Sequence, residues 1–182
     1  MDLIVEVLAR PRDLDGLVTE IAAMRQRIAA QHPEPSPWDI KHRRGGLVDV
    51  EFIAQYLMLH HARETPQVVQ ANTGAALAAL AASGHLDRVA ARDLLAALDL
   101  WRWIQGLLKL VLDETLDEAS APPALKTVLV RGANEVDFAA LKLDMTAAAE
   151  RVMAHYRTII EEPAAQAQTR LPPTKPDSEK QR

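Results

Sequence analysis

Apolar residues recur at spacings of three and four along most of this chain, which is the pattern of one buried face of an α-helix. From Asp13, a suitable N-cap, this pattern predicts a first helix that reaches about Ile28. No segment of convincing length alternates with a period of two. The sequence therefore predicts an all-α fold, a helical bundle of about five or six helices. The further predicted helices are Leu47 to about Arg63, Asn72 or Thr73 to Gly84, about Asp87 to Leu112, Pro122 to about Val130, and Phe138 to about Ile160.

Prolines and shifts in composition mark the predicted boundaries. Pro11 interrupts a short apolar segment at the N-terminus, so residues 1–12 are interpreted as a remnant of a preceding domain or as a linker. Pro163 is expected to end the last helix, which makes residues 13–162 the helical domain. Residues 163–182 are polar and rich in proline, a composition that cannot bury enough apolar surface to fold. They are predicted to form a disordered tail.

Two features of the predicted long helix concern its packing. Gly106 costs a helix roughly 1 kcal/mol relative to alanine, and such a glycine often marks a close crossing of two helices. Trp101 continues the apolar stripe of this helix, whereas Trp103 does not. One tryptophan is therefore predicted to lie in the core and the other to be half-exposed.

Composition and charge exclude several classes of protein. The chain has 182 residues, of which 48% are hydrophobic, so it is long enough to bury a core as one domain. Its formal net charge is -4, and no basic stripe is present, which argues against a nucleic-acid partner. Because cysteine is absent, disulfides, thiolate metal sites and a cysteine nucleophile are excluded. No signal peptide or membrane-spanning stretch is evident, so we expect a cytoplasmic protein without a membrane partner.

One stretch combines cations, a glycine pair and the start of a helix: Trp38 to Tyr56, with the sequence WDIKHRRGGLVDVEFIAQY. Gly45 and Gly46 permit a tight turn directly before the helix, and a positive φ at Gly46 would exclude a side chain there. Free N–H groups and the positive end of the helix dipole favour an anion, and Lys41 supplies a nearby cation. A phosphate site is one interpretation. The other, which spacing alone favours, is a structural loop with Asp49 as an acid in the first turn.

The carboxylates in this stretch are not expected to bind a metal together. Residues two apart on a helix point about 200° apart, so Asp49 and Glu51 do not face one ion. Asp49 lies towards an apolar side and is predicted to be at least partly buried, with Lys41 or a Trp or Tyr donor as its partner. Glu51 lies on the side of Gln55. His60 and His61 are adjacent and lack a third ligand at a convincing spacing, so no metal site is predicted in this chain.

These residues also carry a resemblance. Asp39-Ile40-Lys41, followed by GGLVDVEFIAQY, resembles the signature of the helical domain that follows the nucleotidyltransferase core in bacterial glutamine synthetase adenylyltransferase; PII uridylyltransferase has a similar domain. The likeness extends roughly from Leu8 to Ile160, and the chain matches the C-terminal helical domain because Pro163 and a polar tail end it where the family's enzyme ends. The resemblance implies that Lys41 contacts the ATP phosphates. The residues that would form the structural motif are Gly45, Gly46, Asp49, Glu51 and Gln55.

The resemblance implies a function in nitrogen regulation. The family's enzyme adds AMP from ATP to a tyrosine of glutamine synthetase and removes it by phosphorolysis, under the control of PII signalling protein and glutamine. Its cores bind ATP and Mg²⁺ through Gly-Ser and an Asp-x-Asp pair on a strand. This chain has no Gly-Ser, and its single Asp-x-Asp, Asp13-Leu14-Asp15, opens a helix. The fragment is therefore expected to be inactive alone and to hold no cofactor itself.

The expected partners follow from the same resemblance. They are the missing nucleotidyltransferase core, of which residues 1–12 would be a remnant or linker, glutamine synthetase, and PII signalling protein. The alternative is a non-catalytic regulatory or binding module that docks glutamine synthetase or PII. A free-standing bundle with an unrelated role is a third interpretation.

Overall fold

The computed structural model describes residues 3–33, 36–112 and 115–170. These residues contain no strand, so the all-α prediction is confirmed. No helix among them is long and apolar enough to cross a lipid bilayer. A short 3₁₀ turn covers Pro66–Val68 and a π-helical turn covers Arg157–Glu161. The helices are α1 (Leu3–Leu8), α2 (Leu14–Gln31), α3 (Leu47–His61), α4 (Thr73–Ala82), α5 (Arg88–Val111), α6 (Pro123–Gly132), α7 (Phe138–Tyr156) and α8 (Glu162–Arg170).

Side chains cap the start of several helices, among them the caps that the sequence predicts at Asp13 and Asn72. The Asp13 carboxylate accepts a hydrogen bond from the amide of Asp15 at the start of α2, over 3.1 Å. The side chain of Asn72 accepts from two amides at the start of α4, at 2.9 and 3.2 Å. Asp87 and Asp137 do the same for α5 and α7. Each cap satisfies amides that have no partner within the helix, typically a contribution of about 1 kcal/mol.

Helix α3 lies at the centre of the bundle. It packs against α2, α4, α5 and α7, and its buried side chains come from most of its circumference. The apolar stripe of α5 faces the same core, and Trp101 on that stripe is completely buried, whereas Trp103 is 37% exposed. The predicted division between the two tryptophans is therefore confirmed. The first turn of α3, and the loop that leads into it, consequently sit where several helices meet.

The close helix crossing is not at Gly106. No atom lies within 4 Å of the place where a Cβ of Gly106 would stand, so this prediction is wrong. The close approach is instead at Gly132, the last residue of α6, where a Cβ would overlap the ring of Trp103. Gly106 faces the exposed side of α5, and helical spacing alone does not show which glycine meets a neighbour.

The helix that begins at Phe138 does not end before Pro163, contrary to the sequence prediction. The chain continues from α7 through the π-helical turn into α8, as far as Arg170. At the end of this turn the amide of Glu162 bonds to the carbonyl of Arg157, five residues back. A wider turn reduces the clash that a proline ring makes with the carbonyl four residues back in a regular α-helix. Residues 163–170 of the predicted tail are therefore helical, and residues 171–182 lie outside the described residues.

Helix α8 is expected to contribute to stability, because it packs along α2 and buries Ala164 and Ala167. We expect a chain that ends at Glu162 to be about 2 kcal/mol less stable than one that ends at Arg170, since each buried methyl contributes roughly 0.8 kcal/mol and α2 also loses its cover. Urea unfolding of the two truncated chains, followed by circular dichroism, measures the difference. Equal stabilities would contradict a structural role for α8.

Candidate functional site

A buried carboxylate organises the loop of residues 36–46, called the motif loop below, which leads from α2 into α3. Asp49 lies in the first turn of α3 and is completely buried. It accepts hydrogen bonds from Nε of Arg25 on α2, which is also buried, and from the amide of Gly45. Nη1 of Arg44 lies 3.5 Å from the same carboxylate. A charge from another helix and an amide from the loop therefore satisfy Asp49.

Arg25 also binds the backbone of the motif loop. Its Nη2 donates to the carbonyl of His42 at 3.0 Å and to that of Arg43 at 3.2 Å. The prediction that Asp49 is buried is thus confirmed, but the predicted partner, Lys41 or a Trp or Tyr donor, is wrong: the donors are Arg25 and the Gly45 amide, and Lys41 is exposed. Arg25 shares the buried face of α2 with Val18 and Ala22. The spacing of three residues from Ala22 and seven from Val18 places Arg25 on this face, but it does not identify Asp49 as its partner.

Both glycines of the motif are required, each for a different reason. Gly45 has φ +72°, and a Cβ there would overlap the backbone of Ala149 on α7. Its carbonyl accepts a hydrogen bond of 3.1 Å from Nε1 of Trp101. Gly46 has a negative φ of -84°, so the positive φ considered for Gly46 is found one residue earlier. A Cβ on Gly46 would nevertheless come within 2.5 Å of the carbonyl oxygen of Ile40.

Arg43 and Arg44 attach the motif loop to α5 and to the π-helical turn. Arg43 lies over the ring of Trp101, 5.5 Å from its centroid, and burial lowers the pKa of its guanidinium. Arg44 lies 5.0 Å from the ring centroid of Tyr156 and donates to Glu161 at 2.6 Å. Burial, and secondarily the charge of Asp49, raises the pKa of the Tyr156 hydroxyl. These two cations therefore fix the loop.

Lys41 is placed differently from its neighbours. It is exposed, and among residues 3–33, 36–112 and 115–170 it forms no ion pair. It borders a cleft of about 330 Å³ between the motif loop and the end of α5, where Lys109 and Gln105 form the other side. Two ammonium groups and an amide beside one cleft suit an anionic ligand.

The other two residues of the predicted motif stand apart from this network. Glu51 is partly buried and Gln55 is exposed on α3. Neither side chain makes a hydrogen bond or an ion pair within the described part of the chain. The structure therefore brings Gly45, Gly46 and Asp49 together with Arg25 and Trp101, and leaves Glu51 and Gln55 outside.

A cluster of potential metal ligands, which the sequence pattern does not predict, includes two residues of the same loop. Nδ1 of His42 is 3.1 Å from Oδ1 of Asp39, and Nδ1 of His32 is 3.9 Å from Oδ2. The rings of the two histidines stack at 3.9 Å. Because a proline-rich segment separates His32 from Asp39, their spacing along the chain does not reveal that they meet.

A second histidine cluster contains no carboxylate ligand. His61 stacks on His85 at 3.9 Å and lies beside His60, with centroids 4.5 Å apart. Burial, followed by the charges of His60 and His85, lowers the pKa of His61 to about 4. Among the described residues, the donor atoms that converge as in a metal site are those of His32, Asp39 and His42.

A known sequence family matches the part of the chain that contains the motif loop. The sequence model of the family described as GlnD PII-uridylyltransferase matches residues 17–164, which include the motif loop and all of α3 to α7. The match therefore covers the whole network around Asp49, since Arg25, Trp101 and Ala149 all lie within it.

Individual relatives are similar over most of this chain. A bifunctional glutamine synthetase adenylyltransferase/adenylyl-removing enzyme of Xanthobacter autotrophicus is 38% identical over 160 residues, 88% of this chain and 16% of that protein. Enzymes of the same name from Caulobacter vibrioides and a Bradyrhizobium species are 35% and 32% identical, over 86% and 88% of this chain. The chain thus spans about 16% of the length of these relatives. With a family model matched over most of its length, this chain belongs to the PII-uridylyltransferase family, as a helical domain like that of bifunctional glutamine synthetase adenylyltransferases.

Proposed function

We propose that this chain acts as the C-terminal helical domain of a cytoplasmic enzyme that adds AMP to glutamine synthetase and removes it, and that its motif loop forms one wall of the ATP cleft. The observation that carries this proposal is the position of Lys41. The neighbouring cations of the loop are used to fix it, whereas Lys41 is exposed beside a cleft that Lys109 shares. In this role Lys41 contacts a phosphate group of ATP.

The rigidity of the loop supports such a role. Catalysis of phosphoryl transfer depends mainly on positioning and on the stabilisation of charge by fixed groups. The buried pair of Arg25 and Asp49 and the contact of Gly45 with α7 hold the backbone that follows Lys41. The amide of Leu47, which bonds to the carbonyl of Ile40 at 2.9 Å, holds the backbone that precedes it. The carboxylates that bind Mg²⁺ belong, in this proposal, to the adjoining nucleotidyltransferase core. Glutamine synthetase is the substrate, and PII signalling protein is the regulatory partner.

A regulatory docking module is the second candidate function. Leu110 is 86% exposed and Val111 is 53% exposed at the end of α5, next to the cleft. Exposed apolar side chains of this size favour contact with another protein surface. Binding of PII or glutamine synthetase by the isolated domain, lost on Leu110→Asp, would favour this function over a direct contact with ATP.

Lys41→Ala is expected to weaken the use of ATP without weakening the fold. In a chimera that carries residues 17–164 of this chain in place of the matching segment of the Xanthobacter autotrophicus relative, we expect the KM for ATP to rise by roughly tenfold or more, since a hydrogen bond to a charged group contributes about 1.5–3 kcal/mol. The Tm of the isolated domain should not change, because Lys41 is exposed. Initial rates at varied ATP concentration measure the first effect, and thermal unfolding measures the second.

Lys142→Ala is the matched control for this experiment. Lys142 is an exposed lysine on α7 that pairs with Glu118 at 2.8 Å and does not border the cleft. Its replacement should leave the KM for ATP unchanged. If Lys41→Ala lowers the Tm and leaves the KM for ATP unchanged, Lys41 is a structural residue and the proposed contact with ATP is wrong.

A further inference from the structure

We propose that His32, Asp39 and His42 form a binding site for a divalent transition-metal ion of the zinc class. Each residue offers one donor atom, and these three atoms lie within 4.8 Å of one another. The three residues come from two places: His32 directly follows α2, and Asp39 and His42 belong to the motif loop. An ion held between them would join the end of α2 to that loop.

The distances between the donor atoms suit a small ion. In a tetrahedral zinc site with bonds of about 2.0–2.1 Å, neighbouring ligand atoms are about 3.3 Å apart. Nδ1 of His42 lies 3.1 Å from one oxygen of Asp39 and 3.2 Å from the other. Nδ1 of His32 lies 3.9 Å from Oδ2 of Asp39, and its ring stacks on that of His42, so His32 has to turn out of this stack for all three atoms to bind one ion.

The carboxylate is already oriented for this role. Oδ1 of Asp39 accepts a hydrogen bond of 3.1 Å from the amide of His42, which fixes the carboxylate towards the two imidazoles. Hydrogen bonds of this kind to metal-binding side chains set their orientation in known metal sites. The local backbone thus pre-organises one ligand before any ion binds.

The chemistry of the donors determines the class of ion. Two imidazole nitrogens and one carboxylate oxygen suit zinc and neighbouring transition metals, whereas Mg²⁺ and Ca²⁺ prefer oxygen ligands alone. The side chains of His32, Asp39 and His42 are 37%, 22% and 26% exposed, so an ion can reach them from solvent. Asp39 and His42 also border the cleft that contains Lys41. Three protein ligands leave a position for water or an anion on the ion.

Titration of the untagged chain with Zn²⁺ alone, by isothermal calorimetry, tests the site. We expect one ion to bind per chain, and the Tm of the chain to rise as that ion binds, because a ligand of the folded state stabilises it. Asp39→Asn and His32→Ala should each weaken this binding by more than about tenfold. Replacing even an outer-sphere partner of a metal ligand typically lowers the affinity for the metal about 10- to 100-fold. Asn at position 39 still offers an oxygen to the amide of His42, so the loop keeps its local hydrogen bond.

The second histidine cluster provides the control. His61 and His85 stack at the same 3.9 Å but lack a converging carboxylate, so His61→Ala should leave the affinity for Zn²⁺ unchanged. Circular dichroism establishes that every variant is folded before titration. The proposal is overturned if the wild-type chain binds no stoichiometric Zn²⁺, or if His61→Ala removes the binding and Asp39→Asn does not. Because no nucleotide is present, neither outcome depends on the contact proposed between Lys41 and ATP.

Discussion

Asp49→Ala is expected to lower the free energy of unfolding by about 3–5 kcal/mol, the range for removing one partner of a buried ion pair. The substitution leaves the guanidinium of Arg25 buried without its counter-charge, since Arg25 is only 1% exposed. It also removes the acceptor of the Gly45 amide, so the turn before α3 loses a bond. Urea unfolding of the isolated chain, followed by far-ultraviolet circular dichroism, measures the loss.

A double-mutant cycle separates the buried charge from the other effects. If the large loss comes from an unpaired Arg25, the pair Arg25→Met and Asp49→Ala should cost clearly less than the sum of the single substitutions. Asp144→Ala is the control, because Asp144 on α7 pairs with Arg151 at 3.7 Å and the two side chains are 39% and 44% exposed. We expect a loss of about 1 kcal/mol there. A loss of that size for Asp49→Ala as well would show that burial adds nothing to the importance of this carboxylate.

Gly45→Ala is expected to cost about 2–5 kcal/mol, which is the sum of two effects. A side chain in the left-handed region costs roughly 1–2 kcal/mol, and forcing a new carbon into close-packed surroundings costs roughly 1–3 kcal/mol. The new Cβ would overlap the carbonyl of Ala149, and the backbone of a packed helix cannot rotate away as a flexible side chain would. Thermal and urea unfolding of the purified variant measure the effect.

Gly84→Ala isolates the first of the two effects. Gly84 has nearly the same φ, +77°, but no atom lies within 4 Å of the place where its Cβ would stand. We expect it to cost only the conformational part, about 1–2 kcal/mol. The difference between the two variants therefore measures the close approach of the loop to α7. Equal losses would mean that the loop moves away from α7 at no cost.

The sequence predicted most of what depends on neighbours along the chain. Helix spacing, the caps at Asp13 and Asn72, and the importance of the glycine pair all arise within a few residues, and the structure contains them. The burial of Asp49 also followed from its place on an apolar face of α3. The resemblance carried by these residues led to the family that the comparisons show.

Contacts between distant elements were harder to predict. The partner of Asp49 is Arg25, which lies 24 residues earlier on another helix, and no local spacing selects it over Lys41. His32 meets Asp39 only because the intervening segment turns back. Pro163 predicts the end of an α-helix, because a proline ring clashes with the carbonyl four residues back. The helix continues here because a π-helical turn precedes Pro163. In each case the deciding factor is three-dimensional packing or a rare backbone geometry.

The π-helical turn also sets the phase of the C-terminal helix. In a regular α-helix, four residues rotate about 400°, so a row of side chains spaced by four drifts around the helix by about 40° at each step. Tyr156, Ile160 and Ala164 follow this spacing across the turn, and all three are buried. Because the wider turn contains more residues, it offsets part of that drift. The wider turn thus keeps the buried row of α7 continuous with that of α8, and that row packs against α2.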